Sequence, residues 1–92
     1  MYKVDSLLKK LSELKSGEEG VIVRIIGRGS NIRRMLDMGL TSGTKIRVIR
    51  KAPLGDPIEF EVRGFNLSLR KEEADLVVVK TSDENFTFSS ST

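Results

Sequence analysis

The sequence predicts a mainly β domain: a small barrel of about five short antiparallel strands, with an N-terminal helix and one short helix between the first two strands. Three observations point there. Ile58-Glu59-Phe60-Glu61-Val62-Arg63 alternates apolar and charged residues at every step, as a strand does when one face is buried and the other is wet. Val21 to Ile26 and Leu76 to Val79 are short aliphatic runs, mostly β-branched, which also suit strands. Glycines and prolines punctuate the chain between such runs. Five short strands in 92 residues do best by curling until few edges stay exposed.

Taken in order, Leu7, Leu8, Leu11 and Leu14 fall at helical spacing, so residues Asp5 to Leu14 are predicted helical. Asp5 or Ser6 would cap that helix, and Lys9, Lys10 and Glu13 would face water. Gly17 and Gly20 end it and open the strand Val21 to Ile26, which closes at Gly27-Arg28-Gly29. Ser30 is the predicted N-cap of a short helix through Met38, with Ile32, Met35 and Leu36 as its inner stripe. Gly39 suits the left-handed position after that helix, with Leu40 packing back on Met35.

Thr41-Ser42-Gly43 is a turn into a strand from Thr44 to Lys51. There Ile46 and Val48 point inward while Lys45, Arg47 and, by strict alternation, Ile49 point outward. Ala52 to Pro57 is a loop by its two prolines and its glycine. After the alternating strand, Gly64-Phe65 is read as a two-residue hairpin turn with glycine first, returning through Leu67 and Leu69. Arg70 to Asp75 forms one helical turn before the last strand. A single domain over residues 1–80 and a mobile polar tail over 81–92 follow from the serine-rich end.

Composition narrows the function. The chain holds no Cys and no His, which removes thiolate chemistry, the commonest general base and the commonest transition-metal ligand. An enzyme is therefore not expected. The longest apolar stretch is broken by Arg24 and falls far short of a membrane span, and the first residues do not lead into a secretory segment; a cytoplasmic protein is expected. A net charge of +3 steers mildly toward acidic partners.

Four pieces carry a resemblance to a known family. They are Leu11-Ser12-Glu13-Leu14-Lys15-Ser16-Gly17 before Gly20-Val21-Ile22-Val23; Arg33-Arg34-Met35-Leu36-Asp37-Met38-Gly39-Leu40 before Thr41-Ser42-Gly43-Thr44; Ala52-Pro53-Leu54-Gly55-Asp56-Pro57-Ile58; and Leu67-Ser68-Leu69-Arg70-Lys71-Glu72-Glu73-Ala74 before Leu76-Val77-Val78-Val79. In this order and spacing, from Gly17 to Lys80, the chain resembles the FeoA family, a module also found at the C-terminus of iron- or manganese-dependent repressors. The resemblance implies an SH3-like barrel and a cytosolic accessory of FeoB, the membrane ferrous-iron transporter with a GTPase domain. A standalone length without a winged-helix segment in front favours the transporter over the repressor, so no DNA partner is expected.

The resemblance and the loop chemistry together nominate a partner-binding surface: Arg33 and Arg34 on the short helix, and Leu54, Gly55 and Asp56 at a proline-bounded loop tip. The plainer account of Arg33 is a weak pair with Asp37 one turn on. No cofactor is required. Glu72, Glu73 and Asp75 are the carboxylates with spacing for a weak divalent metal, Fe2+ or Mn2+, although acidic residues opening a short solvated helix explain them better. Met35 is expected to fill the core; Met38 is freer, but one thioether does not make an iron site. Glu59 and Glu61 are expected to pair with basic residues of the neighbouring strand. The rival readings are a small basic barrel binding RNA through Arg24, Arg28, Arg47, Arg50, Lys51 and Arg63, and a metal-responsive regulatory module. The RNA reading lacks a row of exposed aromatics for stacking. Self-association remains open, since a small barrel can leave an edge strand bare.

Overall fold

A computed structural model describes residues 6–82 of the chain. Strand β4 (Ile58–Val62) realises the alternation read from its sequence, with Ile58, Phe60 and Val62 buried and Glu59 and Glu61 between them only partly covered. It lies between β3 (Lys45–Lys51) and β5 (Phe65–Leu69) in one antiparallel sheet. The remaining strands are β1 (Ser6–Lys10), β2 (Glu19–Ile25) and β6 (Val77–Ser82), and the order across the sheet is β1-β6-β2-β3-β4-β5. Two short helices complete the fold: α1 (Ser30–Asp37) between β2 and β3, and α2 (Lys71–Ala74) between β5 and β6.

The architecture is mainly β, with six strands among the described residues where about five were expected. The sheet wraps around a single core, since Ile22 of β2, Val48 of β3, Phe60 of β4, Leu69 of β5 and Val79 of β6 all belong to one buried cluster. Irregular registers between Ile22 and Arg24 of β2 and between Val48 and Arg50 of β3 supply local bends. The second of these leaves Ile49 half-buried rather than outward. Where β2 crosses from β3 to β6 it approaches closely: a Cβ on Gly20 would lie 3.2 Å from the Lys80 carbonyl oxygen and from the Val79 Cβ.

The sixth strand is the part predicted as an N-terminal helix. Residues Ser6–Lys10 instead pair with Lys10↔Val78 through Ser6↔Ser82 along β6. Leucines at positions 7, 8, 11 and 14 satisfy a helical template, but only Leu11 and Leu14 are buried; Leu7 and Leu8 stay exposed. A 3-10 turn over Leu11–Glu13 carries Leu11 into the core, and the extended chain at Leu14 does the same. The Glu13 carboxylate accepts the Lys10 N–H at 3.0 Å, tying off the start of that turn. As the edge strand of the sheet, β1 gains ladder hydrogen bonds along its β6 side, whereas an isolated helix of this length is marginal in water.

Helix α1 ends as the sequence predicts. Gly39 has φ 98°, the Leu40 N–H donates to the Met35 carbonyl at 3.1 Å, and the Gly39 N–H to the Leu36 carbonyl at 3.0 Å, which is a Schellman closure. Met35 and Leu40 are both buried. Two details differ from expectation. The helix is capped at Gly29 rather than at Ser30, without a side-chain cap bond, and Leu36 is 45% exposed. The buried stripe of this eight-residue helix is therefore Ile32 and Met35 alone, followed by the buried Leu40.

The β4–β5 hairpin also turns one residue earlier than predicted. Val62 pairs with Phe65, so Arg63 and Gly64 form the turn, with φ 53° and 84°. Positive φ at both positions matches the type of turn whose twist suits a two-residue hairpin. Arginine rarely adopts this conformation, and here its guanidinium donates to Thr44 Oγ1 at 3.1 Å, which offsets the local cost. Finally, β6 continues through Thr81 and Ser82, two residues past the expected end of the domain; the rest of the predicted tail, 83–92, lies outside the described residues.

Candidate functional site

Several of the residues singled out from the sequence, Arg34, Asp56, Glu73 and Asp75, meet at α2, a single helical turn. Its acidic residues were expected to face water or a metal. Glu73 instead is almost wholly buried. One of its carboxylate oxygens accepts the Arg70 backbone N–H at 2.9 Å, tying off the start of α2, and the other pairs with the Arg34 guanidinium of α1. Arg34 also reaches Met38 Sδ at 3.5 Å. Arg34 and Glu73, two residues nominated for different roles, are thus each other's partner.

Asp75 is held in the same manner. Its carboxylate accepts the hydroxyl of the buried Ser12 and lies 3.7 Å from Lys71 Nζ. The Ser12 hydrogen bond holds the Asp75 carboxyl below the usual aspartate range, helped by the positive charges of Lys71 and Lys10 and opposed by partial desolvation. Glu72 is exposed. Among the described residues no group of three His, Cys, Asp or Glu side chains is placed to hold a metal ion.

The β3–β4 loop is anchored from the same turn. Asp56 Oδ1 accepts the Lys71 backbone N–H at 3.0 Å, so the loop is fastened to the first residue of α2. Within the loop, the Gly55 N–H donates to the Ala52 carbonyl at 2.7 Å and the Ala52 N–H to the Pro57 carbonyl at 3.0 Å. Gly55 has φ 87°, a conformation that suits glycine. This tight loop presents Leu54 96% exposed at its tip. Nearby, Lys51 Nζ donates to the Ser12 carbonyl at 3.1 Å.

Of the five nominated contact residues, Arg34 and Asp56 therefore engage partners within the chain while staying exposed, and Gly55 shapes the loop. Arg33 and Leu54 are left facing outward. Arg33 makes no ion pair among the described residues, and the pair with Asp37 suggested by their spacing does not form. On the sheet, Arg47 pairs with Glu61 and Arg50 with Glu59 at 2.9 Å, as cross-strand neighbours should. The network around α2 was not legible in advance, because Ser12, Arg34, Asp56 and Glu73 are far apart in sequence. The one local signal was Arg70 followed three residues later by Glu73, the acidic half of a capping box.

The FeoA domain family matches residues 9–81 of the chain. The Fe(2+) transport protein A/Fe(2+) transporter FeoB fusion protein of Porphyromonas gingivalis is 42% identical over 80 residues; the match takes in 87% of this chain but spans only 10% of the fusion. The iron(II) transport protein A of Clostridium thermocellum superposes with a TM-score of 0.76 at 38% identity, over 79% of this chain and 45% of that one. The FeoA of Stenotrophomonas maltophilia, an SH3-domain protein solved with zinc, superposes with a TM-score of 0.68 at 28% identity, over 78% and 94% of the two chains. A manganese-dependent transcriptional repressor shares the fold at 18% identity, with a TM-score of 0.73 over 83% and 42%. The SH3-like barrel expected from the sequence is the fold that is found, and the chain belongs to the FeoA domain family.

Proposed function

We propose that this protein is a non-catalytic accessory of ferrous iron uptake that docks on the cytosolic part of a FeoB-type transporter and modulates its GTP-linked transport. The observation that carries this reading is the relative in which the same domain and FeoB form one polypeptide. Two domains joined in one chain work at high effective concentration, so a surface of this domain that meets FeoB would be favoured there. The exposed Leu54 on an anchored loop and the outward Arg33 of α1 supply an apolar contact and a cation for such a surface, with Arg34, Gly55 and Asp56 holding them in place. Modulation requires that the domain bind one transporter conformation better than another.

No helix among the described residues is long and apolar enough to cross a membrane. RNA binding is the weaker reading, because Arg47, Arg50 and Arg63 are engaged with Glu61, Glu59 and Thr44, and Phe65 is the one exposed aromatic among the described residues. The test is binding of the full chain to purified FeoB in lipid-free detergent, with and without a GTP analogue and at two salt concentrations. Saturable, nucleotide-dependent binding that weakens with salt and is lost in Arg33→Glu or Leu54→Ser is the expected result. Binding that neither substitution alters removes this surface, and no binding in any nucleotide state removes the reading.

A further inference from the structure

Charge is distributed unevenly along this chain. Between Gly20 and Gly55 there are eight basic residues and one acidic residue, Asp37. Five of the eight are engaged: Arg34 with Glu73, Lys45 with Glu19, Arg47 with Glu61, Arg50 with Glu59, and Lys51 with the Ser12 carbonyl. Arg24, Arg28 and Arg33 make no ion pair or side-chain hydrogen bond among the described residues, and all three are exposed. They fall on one stretch of chain that forms a corner of the fold: the end of β2, the glycine-flanked turn after it, and the first turn of α1.

That corner is also apolar. Ile26, the first residue past β2 and two beyond Arg24, is 50% exposed. Leu36 follows Arg33 by three residues, on the neighbouring outward position of α1. The turn packs against the helix: a Cβ on Gly27 would lie 3.6 Å from Ile32 Cδ1, and the Arg33 N–H donates to the Gly29 carbonyl at 3.1 Å. Arg28 projects from the same turn with a glycine on each side. Two exposed aliphatic side chains therefore sit among cations that the fold does not neutralise. Asp37, on the outer face of α1, is the one carboxylate that this segment sets against them.

We propose that this corner, Arg24, Ile26 and Arg28 with Leu36, rests on an anionic lipid surface. Arg33 lies at its border with the transporter-facing surface. The chemistry fits a bilayer better than a protein pocket: arginines beside short aliphatic chains bind phosphate headgroups while the aliphatics enter the interface. No aromatic anchor for a protein pocket is present at the corner. The inference rests on the proposed function only in taking the domain to work beside a membrane. Weak lipid contact would hold it near the bilayer and leave affinity for the transporter to the Leu54 loop.

The experiment is co-sedimentation of the full chain with vesicles of phosphatidylcholine, with and without phosphatidylglycerol, in low and physiological salt and without any transporter. The expected result is binding to the anionic vesicles alone, weakened by salt. Each headgroup-contacting arginine contributes about fivefold at low salt, so Arg24→Gln with Arg28→Gln should weaken binding roughly thirtyfold. Arg47→Gln with Arg50→Gln changes the net charge equally and should leave binding within about twofold, since those side chains already face Glu61 and Glu59. Ile26→Ser with Leu36→Ser should remove the part that survives physiological salt. Equal losses in the two arginine pairs would reduce the effect to net charge and overturn the proposal. So would absence of vesicle binding, and if the Arg24 and Arg28 pair then weakened detergent-solubilised FeoB, the corner would be assigned to an acidic protein surface. Because Arg24 and Arg28 lie outside the transporter-facing residues, their substitution should leave detergent-solubilised FeoB binding intact, so the two readings fail separately.

Discussion

Replacing Arg34 by alanine tests whether α1 is held to the barrel by charge. The two partners are unequally placed: the Glu73 side chain is 11% exposed, whereas that of Arg34 is 50% exposed. Removing Arg34 strands a carboxylate that is mostly out of water and keeps only the Arg70 N–H as donor. Loss of one partner costs about 3–5 kcal/mol in a fully buried pair and at most about 1 kcal/mol in an exposed one. With half of Arg34 in solvent, about 1.5–2.5 kcal/mol is expected, which for a domain of this size lowers Tm by roughly 10 °C. Glu73→Ala should cost less, about 1 kcal/mol, because Arg34 then turns to water and the loss is mainly the tie at Arg70. The double variant should match Glu73→Ala rather than the sum of the two, and Arg33→Ala should stay within about 0.5 kcal/mol of the wild type. Urea unfolding followed by circular dichroism reads all four. An Arg34→Ala effect no larger than that of Arg33→Ala, or strict additivity of Arg34 and Glu73, would refute the argument. A charge reversal at Arg34 therefore disturbs the fold as well as any contact, which makes Arg33 the informative position for docking.

Phe60→Ala should cost about 3–5 kcal/mol, a large share of the stability of a small domain, because the ring is fully buried in β4; a change under about 1 kcal/mol in urea unfolding would contradict its place in the core. Asp75 has its folded-state pKa lowered, so the unfolded chain binds its proton first as pH falls. Its contribution is present above the ordinary aspartate range and is lost as pH drops through the lowered folded value; the stability gap between wild type and Ser12→Ala should narrow on acidification, and a constant gap would count against the Ser12 contact. Gly39→Ala places a side chain at φ 98° and should destabilise by about 1–2 kcal/mol, read as a drop in Tm, with no effect expected from substituting the exposed Asn31. Calorimetric titration with Mn2+ to millimolar concentration should give no saturable heat, since Glu73 and Asp75 are already engaged; a saturating isotherm abolished by Glu72→Gln would overturn that expectation.

Much of the fold was legible because local signals and tertiary demands agreed. The alternation in Ile58–Val62 and the Gly39-Leu40 stop of α1 each admitted one reading, and both are realised. The N-terminal segment shows the converse. Leu7, Leu8, Leu11 and Leu14 match helical spacing, but their role is split between an edge strand and two core anchors, a division that depends on β6 being available as a partner seventy residues away. At Arg63-Gly64 the glycine preference pointed one residue too late, because strand register outranked the reluctance of arginine to adopt a positive φ. The contacts around α2 were not legible. Arg34 with Glu73, and Asp56 with the α2 backbone, are meetings between distant segments, and nothing in either segment announces the other.

The single turn of α2 has one further consequence. Through Glu73 it fixes the basic helix, through the Lys71 N–H it fixes the β3–β4 loop, and through Asp75 it fixes the 3-10 turn at Ser12. Arg33 and Leu54, though twenty-one residues apart in the chain, are therefore mounted on one frame before any partner arrives. Ordering a free loop and a loose helix on association would cost conformational entropy that here has already been spent in folding, so contacts made at the two positions convert more fully into affinity. Under the proposed docking role, loosening the α2 turn should weaken binding even when Arg33 and Leu54 themselves are untouched.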